Sequence, residues 1–169
     1  MLLRPETVMN ADVSIRKAIQ EDTKKLFAFI YDLAVYQGIE HRLTITEEGF
    51  HTLLGDPQAD SECIVAEFNK EIIGFSIFSK MNINRMYQKT PALYIDEMYV
   101  IPEYRKQGIG RKMFYYLEKI AMERGYNRIE WWVVENNKDA EKFYLNLNAV
   151  AFPEYKVWRL KEDQFHHVD

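Results

Sequence analysis

The stretch LYIDEMYVIPEYRKQGIGRK, residues 93–112, decides the fold of this chain. Its first eight residues, 93–100, are mostly apolar or aromatic, and they predict a β-strand. Gly108 and Gly110 follow, and the amphipathic pattern over residues 108–124 predicts a long helix. A strand, a glycine-containing loop and a helix therefore follow one another directly.

The junction of this loop and helix suits an anion. Gly108 and Gly110 let the backbone turn sharply and approach a ligand closely. The first amides of a helix lack intrahelical partners, and the helix dipole adds positive charge there, so a pyrophosphate fits. Arg105, Arg111 and Lys112 add counter-charges. The glycines alone suit a simple tight turn equally well, and the pattern is neither a Walker loop nor a complete dinucleotide fingerprint.

Short strands and helices alternate on both sides of this stretch. Strands are predicted near residues 13–17, 64–68, 72–78, 129–134, 150–152 and 156–160. Helices are predicted near residues 22–38, 46–55 and 138–147. The sum is an α/β (α+β) fold, with a mostly antiparallel mixed sheet of about six to seven strands flanked by about four helices. A single domain is expected over residues 12–165, after a disordered lead at residues 1–11.

Composition narrows the class of protein. Of 169 residues, 47% are hydrophobic and 28% are charged, which is ordinary for a soluble globular domain. The net charge of −4 argues against nucleic acid as a partner. No apolar stretch is long enough to span a bilayer, and the start of the chain lacks a hydrophobic signal core, so a cytoplasmic location is expected. The one cysteine, Cys63, lies in an apolar run that predicts a buried thiol.

Two separated motifs resemble the GNAT superfamily of N-acetyltransferases over roughly residues 13–160. Arg105-x-x-Gly108-x-Gly110 resembles the acetyl-CoA loop of that superfamily, and Asn137-x-x-Ala140-x-x-Phe143-Tyr144 resembles its downstream pattern. The closer similarity is to the spermidine/spermine (diamine) N-acetyltransferase branch. It includes Leu33-Ala34-x-Tyr36, Glu40-His41, Glu47-Glu48 and Asp96-x-x-Tyr99-Val100-x-Pro102-Glu103-Tyr104-Arg105. The resemblance implies a GNAT fold, acetyl-CoA as co-substrate, a small amine as acceptor and a homodimer. No metal is expected, because the sequence has no cluster of Cys, His and carboxylates that suggests one.

The resemblance also implies catalytic roles. Tyr144 matches the family tyrosine that protonates the departing thiolate, although most tyrosines on amphipathic helices are simply packed. Asp96 and Glu97 match two carboxylates that contact the amine or accept its proton. Neighbouring strand residues point to opposite faces, so only one is expected to face the amine. Asp96 is the preferred base and Glu97 the alternate, with a carboxylate at the sheet rim or in a salt bridge as the competing interpretation.

The remaining site residues follow from the same resemblance. A bulge is expected at residues 98–100, where the strand splays from its neighbour and frees an amide near the thioester. Asn137 is expected to bond the pantetheine arm, and Phe143 to pack against that arm or in the core. The full set expected to bind the cofactor is Met98, Tyr99, Val100, Arg105, Lys106, Gln107, Gly108, Ile109, Gly110, Arg111, Lys112, Asn137 and Phe143.

The acceptor amine is less defined. Glu40, with Asp96 and Glu97, is a candidate for binding it, and Glu47 and Glu48 lie in the same variable region. The basic loop at residues 80–89 is expected to repel a polycation, so a smaller, amino-acid-like or acidic acceptor fits as well. Two other functions stay open: a protein or peptide N-acetyltransferase, and a non-catalytic domain that binds acyl-CoA.

Overall fold

The computed structural model describes residues 12–82, 86, 88–135, 137–153, 156–161 and 164. The predicted lead at residues 1–11 and part of the basic loop, residues 83–85 and 87, lie outside this set. The chain divides after Val134 into two compact units. The single domain expected over residues 12–165 stays a prediction.

A five-stranded sheet and three α-helices make up the described part of the first unit. Its elements are β1 (Ser14–Lys17), α1 (Thr23–Gln37), α2 (Glu47–Gly55), β2 (Ser61–Phe68), β3 (Glu71–Met81), β4 (Ala92–Val100), α3 (Ile109–Glu123) and β5 (Ile129–Trp131). The strands lie in sequence order, antiparallel from β1 to β4, with β5 parallel to β4. The predicted mixed, mostly antiparallel sheet is confirmed, with five strands in the described residues instead of six to seven.

The two strands predicted near the end of the chain are wrong. Residues 150–152 and 156–160 form no regular element, and the second unit contains the helix α4 (Lys138–Leu145). In these residues, side chains at odd and at even positions are both exposed, including Val157 (62%) and Trp158 (89%). Alternation predicts a strand only when one face is buried and an edge is paired, and neither condition holds here.

Most predicted helix ends are confirmed. The Thr46 hydroxyl accepts a hydrogen bond from the Gly49 amide at 3.0 Å and begins α2. Gly38, after α1, has a left-handed φ of 69°. Asp22 precedes α1 as predicted, but its carboxylate does not cap the helix. It accepts from the Ile19 amide at 2.9 Å and from Arg16 instead.

Helices cover both faces of the sheet. On one face, α1 and α2 pack Leu26 and Phe50 against Val65 and Phe75, all at most 1% exposed. On the other face, α3 packs against β1 and β4 and buries its own apolar residues Ile109, Met113 and Leu117. Cys63 is 1% exposed, which confirms the predicted buried thiol, and burial raises the pKa of this thiol to about 12.

Candidate active site

A bulge interrupts β4 at the first of its two carboxylates. Ile77 on β3 pairs with Glu97 and the next residue, Phe78, pairs with Ile95, so Asp96 is left without a partner in the ladder. The register shift therefore lies at Asp96, not at residues 98–100 as predicted. A bulge re-aims side chains and breaks strict alternation. At such a position, alternation alone does not fix the directions of the Asp96 and Glu97 side chains.

Beyond the bulge, the side of β4 that faces away from β3 is no longer paired with β5. The ladder to β5 covers Leu93 to Ile95 only. The Ile101 amide donates to the Ile73 carbonyl at 3.0 Å, which fixes the side of β4 that faces β3. Because backbone groups alternate along a strand, the amides of Met98 and Val100 point the other way, to the edge where β5 has ended. The ladder between β4 and β5 therefore ends before residues 98–100, where splaying is predicted, and the amides of Met98 and Val100 lie outside both ladders.

Gly74 allows β3 and β4 to approach closely behind this edge. It pairs with Val100, and a Cβ at Gly74 would lie 2.7 Å from the Tyr99 carbonyl oxygen. Non-bonded carbon and oxygen atoms essentially never lie that close together. The pairing of this position with Val100 therefore requires glycine.

A small pocket opens beside Glu97. Its volume is about 130 Å³. Most of its wall is apolar and comes from α1 and the segment after it: Ile30, Leu33, Ala34, Ile39 and Leu43. The polar wall consists of Gln37, Arg42 and Glu97. The pocket therefore combines an aliphatic wall with one carboxylate and one guanidinium.

The Glu97 carboxylate is poised to exchange a proton near neutrality. Burial, followed by the negative charge of Asp96, raises its pKa to about 7. None of the ion pairs among the described residues involves Glu97. Asp96 is exposed, and partial desolvation raises its pKa while a hydrogen bond with Ser79 opposes the rise. Burial and then both carboxylates also raise the pKa of Tyr94, to about 12, so all three groups are neighbours.

The predicted anion loop has the backbone conformation that such a site needs. Lys106 and Gly108 have left-handed φ values of 60° and 83°, and Gly108 stands at the start of α3. The first bond of the α3 ladder runs from the Lys112 amide to the Gly108 carbonyl at 3.0 Å. The amides of residues 109–111 precede that ladder, as expected for a helix N-terminus.

Two cations of this loop also have structural roles. The Arg105 Nε donates to the Val100 carbonyl at 2.8 Å, and its guanidinium lies 5.2 Å from the Tyr36 ring centroid and 5.3 Å from that of Tyr99. The Lys112 ammonium donates to the Val13 carbonyl. Arg105 thereby joins the open end of β4 to the loop, and Lys112 joins α3 to the residue before β1.

The predicted residues of the downstream motif lie in the second unit. Asn137 precedes α4, and its Oδ1 accepts from the Ala140 amide at 3.2 Å, so it is a helix cap whatever else it binds. The rings of Phe143 and Tyr144 lie 5.4 Å apart, and both are half-buried. Asn148, just after α4, has a left-handed φ of 61°.

The structure brings together some predicted site residues and leaves others apart. Glu97 lines the pocket, and Asp96, Met98 and Val100 lie near it in sequence on the same strand. Glu40 is exposed in the 3-10 turn Glu40–Arg42 and does not line the pocket. Arg42, two residues later, does line it and was missed. The one signal for Arg42 was its position beside Glu40-His41, and spacing alone does not tell which side chain of a turn faces inward.

In the part of the chain that the structure describes, no group of three or more His, Cys, Asp or Glu is arranged to hold a metal ion. Nor does any described helix have the length and apolar character needed to cross a membrane.

Comparison with known families gives one match that covers most of the chain. The model described as "Acetyltransferase (GNAT) family" matches residues 27–148. These bounds include the pocket, the bulged strand, the loop before α3 and all of α4.

Curated relatives are similar over nearly the whole chain. The thialysine N-epsilon-acetyltransferase of Bos taurus is 27% identical over 156 residues, which cover 88% of this chain and 90% of that protein. The Sus scrofa protein of the same name is 28% identical over 166 residues. An L-ornithine N5-acetyltransferase of Arabidopsis thaliana is 32% identical over 76 residues, which span 45% of this chain and 33% of that protein.

Solved structures share the fold. An aminoglycoside acetyltransferase from an uncultured soil metagenomic sample superposes with a TM-score of 0.73 at 19% identity, over 91% of this chain and 100% of that one. An integron cassette protein from V. cholerae superposes with a TM-score of 0.72 at 20% identity, over 90% and 94% of the two chains.

Proposed function

Because the chain belongs to the GNAT family of acetyltransferases, we propose that it transfers the acetyl group of acetyl-CoA to the primary amine of a small molecule. One observation carries this proposal further than family membership. Glu97 is a half-buried carboxylate with no ion-pair partner among the described residues, and it lines a pocket beside the open edge of β4.

Glu97 is the proposed proton acceptor. An alkylammonium has a pKa of ~10 and cannot attack a thioester until it loses a proton. A carboxylate with a pKa of about 7 takes that proton more readily than an ordinary glutamate does. Asp96, the base preferred on sequence grounds, is exposed at the bulge, so we assign it the role of raising the pKa of Glu97.

The open edge of β4 is the proposed site of acyl transfer. The amine nitrogen attacks the thioester carbonyl carbon, the carbonyl oxygen gains negative charge, and the carbon–sulfur bond then breaks. The Met98 or Val100 amide is suited to donate to that oxygen, since neither faces β3. A single backbone donor of this kind is often worth ~10²–10³ in rate.

The loop before α3 is the proposed holder of the pyrophosphate of acetyl-CoA. Left-handed φ values at Lys106 and Gly108 turn the loop, and the amides of residues 109–111 precede the helical ladder. Lys106 and Arg111 add positive charge there. Gln107 is fixed within the same loop because its side-chain amide donates to the Glu103 carbonyl at 3.1 Å.

Tyr144 is the proposed general acid that protonates the departing thiolate, with Asn137 and Phe143 along the pantetheine arm. These three assignments rest on the match of residues 137–144 to the family motif. An unperturbed tyrosine has a pKa of ~10, so the phenol holds its proton at neutral pH. We also propose a homodimer, from the resemblance to the diamine branch, and, from the sequence pattern, a cytoplasmic location and one domain over residues 12–165.

The acceptor is proposed to be a small molecule because relatives similar along most of the chain are thialysine N-epsilon-acetyltransferases. A peptide or protein acceptor, and binding of acyl-CoA without turnover, are the alternatives. A diamine or polyamine is the acceptor in the spermidine/spermine (diamine) N-acetyltransferase branch, which the sequence resembles.

The test is release of free CoA thiol from acetyl-CoA across a panel of diamines, amino acids, aminoglycosides and lysine-containing peptides. We expect turnover with small amines and a Tyr144→Phe variant with kcat lower by about 10²-fold, since a general acid supplies ~10²–10⁴. Turnover only with peptides would replace the small-molecule acceptor. Calorimetric binding of acetyl-CoA with no turnover on any acceptor would establish a non-catalytic domain.

A further inference from the structure

We propose that the acceptor is an amino acid, with its side-chain amine at Glu97 and its carboxylate at Arg42, so that Arg42 selects against diamines. This inference rests on the proposed function and names the acceptor class of the same pocket. It comes from the composition of the pocket wall, which holds one anionic and one cationic side chain.

Arg42 is available to bind an anion. It ends the 3-10 turn Glu40–Arg42, is exposed and lines the pocket. None of the ion pairs between described residues includes its guanidinium. Three other described arginines do form ion pairs: Arg16 with Asp22 and Glu67, Arg124 with Glu62 and Arg128 with Glu130. A guanidinium binds a carboxylate through two parallel hydrogen bonds, the strongest arrangement this side chain offers.

Glu97 supplies the complementary charge. It is the one acidic side chain in the described wall of the pocket, while Glu40 of the neighbouring turn lies outside it. A ligand with an ammonium and a carboxylate can pair both pocket charges at once. A ligand with two ammonium groups leaves one of them beside Arg42.

The apolar wall and the volume set the length of the ligand. Five aliphatic side chains lie along the pocket with the two charges. The volume of about 130 Å³ is similar to the ~150 Å³ apolar cavity that holds one benzene ring. A chain of a few methylene groups fits that space, as in ornithine or lysine, and a long polyamine exceeds it.

Repulsion from Arg42 adds to this selection against diamines. Placing the second ammonium of a diamine near an unpaired guanidinium costs Coulomb energy that bulk water only partly screens. Specificity between two similar ligands is often set by such a repulsive contact. Arg42 therefore acts on both classes of acceptor in opposite directions.

The experiment compares acceptors that differ only by a carboxylate. The pairs are L-ornithine with putrescine and L-lysine with cadaverine, and kcat/KM is measured by CoA thiol release with acetyl-CoA saturating. For the unmodified protein we expect kcat/KM at least 10-fold higher for each amino acid than for its diamine. The ratio should fall as salt rises, because the pocket is open to solvent.

Charge variants identify the residue responsible. Arg42→Gln is expected to lower kcat/KM for the amino acids through KM, to raise it for the diamines, and to bring the ratio near 1. Arg42→Glu is expected to invert the ratio, and Arg42→Lys to keep part of it. Arg159→Gln, which removes an exposed arginine from the second unit, is the matched control and should leave the ratio unchanged.

The outcomes separate this inference from the proposed function. If no amine of the panel is acetylated, the proposed function fails. If amines are acetylated but diamines equal or exceed amino acids, or if Arg42→Gln lowers both classes by the same factor, the proposed function stands and the role of Arg42 is wrong.

Discussion

Two desolvated carboxylates of this protein, Asp22 and Glu97, behave in opposite ways. Asp22 lies between β1 and α1 and is 8% exposed, and Glu97 lies on β4 and is half-buried. Burial alone would raise the pKa of Asp22, but hydrogen bonds from Arg16 and the Ile19 amide lower it below its ordinary value. Glu97 has no such partner, and Asp96 beside it raises its pKa further.

The difference distinguishes buried charges that stabilise the fold from buried charges that are available for catalysis. Arg16 donates to Asp22 at 2.7 and 3.0 Å and to Glu67 at 3.0 Å, so the charges around Asp22 are satisfied within the protein. No ion pair among the described residues satisfies the charge on Glu97. Four predictions probe this contrast, from the largest expected effect to the smallest.

The first concerns activity. Glu97→Gln removes the proposed proton acceptor and is expected to lower kcat/KM by about 10²–10³-fold at pH 7.5, since a general base supplies ~10²–10⁴. Steady-state CoA release measures this loss. Glu118→Gln, an exposed carboxylate on α3, is the matched control and should retain full activity. A loss below about threefold for Glu97→Gln would assign the proton transfer to water or to another group.

The second concerns the stability that Asp22 provides. Asp22→Asn leaves Arg16 with a weaker partner in a mostly buried site, and it is expected to lower the free energy of unfolding by about 2–3 kcal/mol at pH 7. The folded-state pKa of Asp22 is depressed, so its contribution is present above the unfolded value and is lost as pH falls through the folded value. Urea denaturation at pH 7 and pH 3 checks both statements.

Asp60→Asn, at an exposed position, is the control for Asp22 and should change stability by less than about 0.5 kcal/mol. Equal stabilities of Asp22→Asn and the unmodified protein at pH 7 would mean that the Arg16–Asp22 pair stabilises nothing on balance.

The third prediction concerns stability at Glu97, whose pH dependence is opposite to that at Asp22. Its folded-state pKa of about 7 exceeds the ordinary value of 4.5, so the folded state binds more protons between these values, and stability falls as pH rises through that window. Glu97→Gln should therefore raise the free energy of unfolding by on the order of 2 kcal/mol at pH 8. At pH 4 the two proteins should be equally stable. A variant less stable than the unmodified protein at pH 8 would show that the Glu97 carboxylate is satisfied internally.

The fourth concerns the tuning of Glu97 by its neighbour. Asp96→Asn removes the smaller of the two causes that raise the pKa of Glu97, since desolvation is the larger. The acidic limb of the pH profile of kcat/KM should move to lower pH by about half a unit. An unmoved limb would mean that the limb reports a group other than Glu97.

The sequence predicted the secondary structure around the site better than the pairing and contacts of distant residues. The loop at residues 105–110, the strand before it and the helix after it occur where the glycine and apolar patterns placed them. These features are local, because φ above zero, helix capping and the strand pattern each depend on a few neighbouring residues. The two terminal strands failed because pairing partners are not a local property.

The choice between Asp96 and Glu97 as the base also depends on more than local sequence. The sequence identified both carboxylates, and strict alternation made one the base. The bulge that breaks this alternation depends on the register between β3 and β4, which Gly74 and Val100 help to fix several residues away. Arg42 was missed for a related reason, since only the packing of α1 and its following turn beside β4 brings it to the pocket.

By itself, the sequence determined the order of elements as far as α4, the family and the position of the glycine loop before α3, because these follow from short-range chemistry and recognisable spacing. Only the tertiary structure decided which charges are paired. Arg16 meets Glu67 from 51 residues away, whereas Glu97 meets no counter-charge of the described chain. Whether a buried charge is satisfied depends on distance in space, and that distance is fixed only when the sheet and helices pack.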